Sequence, residues 1–113
     1  MIEKTVIDYL ESALTVPVYA EVPEANTGAF VVVEKVGSSR TNYTDTATIA
    51  VQSYADTLAE AAALNLTAKN AMLEIISLDT VAAVRLNSDY NFTDTATKRY
   101  RYQALFVITY YEE

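Results

Sequence analysis

From Tyr100 to Tyr111 the chain alternates, with Tyr100, Tyr102, Ala104, Phe106, Ile108 and Tyr110 on one side and Arg99, Arg101, Gln103, Leu105, Val107 and Thr109 on the other. Successive side chains of a β-strand point to opposite faces, so this pattern is a long strand with one apolar or aromatic face that needs cover. Two helical segments can supply it. Ile2, Val6, Tyr9 or Leu10, and Ala13 recur at helical spacing, with Glu3, Lys4, Asp8 and Glu11 on the other side, and Pro17 ends the helix. A second helix is predicted from the Thr57-x-x-Glu60 capping box to about Ile76. Its expected buried face carries Leu58, Ala61, Leu64, Ala68, Ala71 and Ile75, and its many alanines allow close approach to a sheet.

Three more strands are expected. Phe30 to Val36 is β-branched and apolar and stops at the turn signal Gly37-Ser38-Ser39, and Asp45 to Tyr54 alternates with Ala47, Ile49 and Val51 on one face. These two are expected to form a hairpin joined by a long loop, Gly37 to Thr44. Val81 to Leu86 is the third, and Val18 to Val22, closed by Pro23, reads as a short edge strand or an extended connector. The expected architecture is therefore α+β, a single domain over residues 1–113: a mostly antiparallel sheet of about four strands with two helices packed on one face. With 51% hydrophobic residues and only two Gly and two Pro, the chain has enough apolar surface for one core and little irregular structure.

The sequence contains no His and no Cys, which removes imidazole and thiolate chemistry and the usual zinc ligands. Gly28 and Gly37, the only glycines, sit in no phosphate-binding pattern. Neither an enzyme nor a cofactor or metal site is expected. The start, Met1-Ile2-Glu3-Lys4-Thr5, is unlike an export signal, and charges interrupt the most apolar stretch, so a soluble, non-membrane protein is expected. A net charge of −7 argues against specific nucleic-acid binding, although Lys98, Arg99 and Arg101 form a local basic cluster whose ordinary reading is a strand edge or a set of salt-bridge partners.

Asn42-Tyr43-Thr44-Asp45-Thr46-Ala47-Thr48 recurs as Asn91-Phe92-Thr93-Asp94-Thr95-Ala96-Thr97. Local turn work by Asn, Asp and Thr side chains is the favoured reading of this echo. A contact surface anchored by Tyr43 and Phe92 is the alternative, and Asp45 with Asp94 makes a carboxylate pair only if the two segments meet. Contact candidates are Arg40, Tyr43, Asp45, Phe92, Asp94, Leu105, Val107 and Tyr111, the last three because the terminal strand is apolar on both faces near its end. Tyr110 is a further candidate, since nine tyrosines in so short a chain suit an interface.

Val16-Pro17-Val18-Tyr19-Ala20-Glu21-Val22-Pro23, the strand Phe30 to Val36 ending at Gly37, and Thr48-Ile49-Ala50-Val51-Gln52-Ser53-Tyr54-Ala55 before an Ala-rich helix resemble the tail terminator, or tail completion, family of long-tailed phages and prophages. The resemblance implies a virion subunit assembled in the bacterial cytoplasm. It would form a ring, commonly a hexamer, that ends the tail tube and joins it to the head connector. DNA would pass through the ring without being held specifically, and loops mapping onto Gly37 to Thr44 and Leu86 to Thr97 would mediate contacts. The alternatives are a head-completion or connector subunit of the same virion and a small non-enzymatic α+β ligand-binding or regulatory module.

Overall fold

The computed structural model describes residues 1–24, 28–41, 44–93, 96 and 99–111. Its elements run α1 (Ile2–Ala13), β1 (Val18–Tyr19), β2 (Phe30–Thr41), β3 (Thr44–Ala55), α2 (Leu58–Leu73), a 3-10 turn (Ile75–Ser77), β4 (Val81–Asn91) and β5 (Tyr100–Tyr110). The strands form one mixed sheet in the order β1-β2-β3-β5-β4. The α+β expectation holds, but the sheet has five strands, because Val18–Tyr19 pairs in parallel with Val31–Val32 at the edge of β2. All other pairings are antiparallel. Since β3 and β4 each lie antiparallel to β5, they run in the same direction, and α2 crosses over the sheet to connect them.

Both helices pack on one face. Ile2, Val6 and Leu10 of α1 and Ala68 and Met72 of α2 join Val31, Val33, Ala47, Ile49, Val51, Ala104, Phe106 and Ile108 in a single core. Each large side chain buried in this way contributes about 2 kcal/mol relative to exposure. Tyr9 packs against the core and donates its hydroxyl hydrogen to Ala71 O at 2.8 Å, tying α1 to α2. The expected capping box is present: Glu60 N donates to Thr57 Oγ1 at 3.2 Å, and the Thr57 hydroxyl donates to Glu60 Oε1 at 2.9 Å.

Four details differ from the sequence reading. Gly37 ends no strand: β2 continues to Thr41, and Ser38, Ser39 and Arg40 pair with Ala47, Thr46 and Asp45. The register shift between Lys35 and Gly37 is a β-bulge, and cross-strand hydrogen bonding overrides the turn propensity of Gly-Ser-Ser. The long loop expected over Gly37 to Thr44 is thus mostly strand. Similarly, β4 extends past Leu86 to Asn91, so the first half of the second expected contact loop, Leu86 to Thr97, is strand as well. The buried face of α2 is Ala61, Asn65, Ala68 and Met72, rotated from the expected one, and Leu58 is 42% exposed. Tyr110, a candidate contact residue, is buried in the core at the end of β5.

Candidate assembly surface

The sheet face away from the helices has a layered composition set by the register. Phe30 and Tyr54 are strand neighbours, as are Tyr54 and Arg101. Phe30 stacks on Tyr54 with centroids 4.7 Å apart, and Tyr19 meets Phe30 edge-on. The Arg101 guanidinium lies 4.3 Å from the centroid of Phe92 and 5.5 Å from that of Tyr54. It donates from Nε to Phe92 O at 2.7 Å and from Nη1 to the Tyr54 hydroxyl at 2.8 Å. In the next row Gln52 donates to Gln103 Oε1 at 2.7 Å, and Gln103 donates to the Tyr90 hydroxyl at 2.6 Å. These polar groups are close to sealed: Gln52 and Gln103 are each 8% exposed although no helix lies above them.

Beyond the glutamines the face becomes apolar and more open. Leu105 sits beside Ala50 and Val107 beside Thr48, both half-buried. Arg40 and Asp45 pair near the end of the β2–β3 hairpin, where Asp45 also neighbours Tyr110. The hydrogen bond from Arg40 holds the Asp45 carboxyl below its usual range, with burial opposing. Tyr111 is half exposed, and its N–H donates to Thr80 O at 2.9 Å. Phe92, 41% exposed, sits at the other end of the sheet, where its N–H donates to Arg101 O. Tyr43, Asp94 and Lys98 lie outside the described residues.

The described parts of the echo segments do not converge. Thr44 and Asp45 begin β3 at the end of the sheet reached by Tyr110, whereas Asn91 and Thr93 lie at the end where Tyr102 and Arg101 begin β5. Among the described residues, the two copies therefore form no joint surface within one chain. At the second copy, turn chemistry is explicit: Thr93 N donates to Asn91 Oδ1 at 3.0 Å, and Arg101 N donates to Thr93 Oγ1 at 3.2 Å.

Two of the three basic-cluster residues are internally engaged. Arg99 donates to Asp56 Oδ1 at 2.7 Å and to the carbonyl of Gly28, whose φ of +77° suits glycine alone without strain. Sequence reasoning missed the Gln52–Gln103–Tyr90 row and the set in which Asp89 accepts from Lys69 and from buried Asn65. Only alternation counted across several strands at once, with register known, would have aligned them. Among the described residues no group of three or more Asp or Glu is placed to hold a metal ion, and no helix is long and apolar enough to cross a membrane.

In the comparisons with known proteins, no family model and no curated protein matches the chain.

Proposed function

We propose that this protein is a structural subunit of a phage or prophage virion, a tail terminator that assembles into a ring ending the tail tube and joining it to the head connector. The observation that carries the reading is the helix-free sheet face. Both helices are committed to the opposite face, leaving Leu105 and Val107 half-exposed in the centre of a surface that an assembly partner would complete. The resemblance of the Val16 to Pro23, Phe30 to Gly37 and Thr48 to Ala55 segments to the terminator family supplies the identity of the assembly.

The charge suits the role. A net charge of −7 repels DNA passing through a channel, and Arg99 and Arg101 are held by Asp56, Gly28, Tyr54 and Phe92 rather than offered to phosphates. The subunit acts by presenting surfaces, with no bond made or broken. Tail-tube protein polymerised with and without the purified chain, and measured by electron microscopy, tests this. Tubes of limited length with density at one end are expected, and tubes growing to the same lengths as in its absence would refute the assignment.

A head-completion subunit of the same virion is the neighbouring reading. In the same assay it would bind the portal-proximal partner and leave tube growth unaffected.

A further inference from the structure

The sheet has two unpaired edges among the described residues, and they match each other. On one side β1 covers only Val31 and Val32, so among the described residues the outer edge of β2 has no strand partner from Val33 to Ser39. On the other side β4 pairs only with β5. β2 carries one bulge, between Lys35 and Gly37, and β4 carries two, between Val81 and Ala83 and between Leu86 and Ser88. Followed through the sheet, the β2 bulge and the Leu86–Ser88 bulge of β4 flank one row, Lys35–Ile49–Phe106–Leu86, on opposite sides. The two edges therefore bend within about one residue of the same height.

We propose that copies of this chain join head to tail by these edges, β4 of one copy pairing antiparallel with β2 of the next, the two bulges offset by about one residue. The inference rests on the ring reading above and specifies how its subunits meet. Strand direction is dictated by the sheet: β2 and β4 run oppositely, because three antiparallel pairings separate them. Rotation about an axis along the strands preserves direction, so β4 meets the next β2 antiparallel. A heterologous contact of this kind uses each edge once per copy and closes into a ring when the rotation allows.

Bulges ordinarily protect an edge by bending it away from a foreign strand. Two edges bent within about one residue of each other in height exclude straight strands and accept each other. There is also room for the incoming side chains. A groove of about 490 Å³ runs beside the open edge at Val33–Lys35, with Met1, Ile7 and Ala20 supplying apolar wall. Glu3 lines the same groove, and its Oε1 is a buried acceptor with no hydrogen-bond partner among the described residues.

The N–H of Val31 donates outward, to Pro17 O, so by strand alternation the Lys35 N–H also points to the open edge and takes no part in the β3 ladder. Lys35→Pro removes that donor, and Lys35→Ala controls for the lost charge. As a second probe, the chain has no Cys, so an engineered pair forms the only disulfide available. Ser39 and Ala83 share a row and a face, so Ser39→Cys with Ala83→Cys, and with Arg85→Cys to allow for strand tilt, samples the junction.

Native mass spectrometry and non-reducing gels on these proteins read the outcome, with circular dichroism confirming the fold. The expected result is at least a tenfold loss of oligomer for Lys35→Pro, none for Lys35→Ala, and a covalent ladder from one of the cysteine pairs. An oligomer that survives Lys35→Pro and yields no ladder overturns edge pairing while leaving the ring reading intact. A wild-type chain that stays monomeric overturns both.

Discussion

Arg40 and Asp45 are strand neighbours across the β2–β3 hairpin and form a two-point ion pair, with Nε to Oδ1 at 2.6 Å and Nη2 to Oδ2 at 3.0 Å. The Asp45 carboxyl is thereby held below its unfolded value, so the pair contributes stability above the unfolded carboxylate pKa, about 3.9, and loses it as pH falls through the lower folded value. Arg40→Ala should lower the melting temperature at neutral pH. The difference from wild type should shrink on acidification and vanish below the folded pKa. Thermal melts from pH 7 down to the acid limit check this, and a difference that stays constant with pH would contradict it.

Asp89 obeys the same sign. The hydrogen bond from Lys69 is the main cause of its lowered pKa, opposed by burial and assisted by Asn65. Asn65→Ala should destabilise at neutral pH by about 1 kcal/mol, the usual worth of a side-chain hydrogen bond to a charged group at a partly exposed site. Urea titration at pH 7 measures it, and stabilisation on substitution would show that the unpartnered Asn65 Oδ1 dominates instead.

Arg101 joins β3, β5 and the segment after β4 through Tyr54 and Phe92. Lysine cannot present the same planar fork, so Arg101→Lys should cost about 1–3 kcal/mol. Because Phe92 is part of this arrangement, Phe92→Ala should lower the unfolding midpoint as well as affecting any assembly contact. Chemical denaturation of both variants tests this, and unchanged midpoints would show that the guanidinium contacts add nothing.

The elements were legible where the determining contacts are periodic and local. Ile2, Val6 and Leu10 mark α1, Thr57 and Glu60 mark the start of α2, and Ala104, Phe106 and Ile108 mark the covered face of β5. What was hidden depended on distant partners. Ser38 and Ser39 are turn residues by propensity and strand residues because Ala47 and Thr46 lie opposite them. Asn65 has no place on the expected apolar face, and its burial is explained by Asp89 of β4, which accepts its hydrogen bond. Arg99 does form a salt bridge, one of the two readings of the basic cluster, but that its partner is Asp56, and that Tyr54 and Phe92 hold Arg101, follows only from the sheet register.

Leu105 and Val107 are the apolar centre of the uncovered face. Val107→Lys places a charge there without touching the core on the other side of β5, so the fold should persist while assembly weakens by about tenfold or more, as expected of a central interface residue. Sedimentation velocity over a concentration series reads the change, and unaltered association would remove this face from the contact.

The mass of the purified chain in solution tests the central claim most directly. Native mass spectrometry at increasing concentration should show a discrete closed oligomer of the 12.5 kDa chain, a hexamer in the form the terminator resemblance implies. A chain that remains monomeric at every concentration, both alone and with tail tubes, would contradict the account.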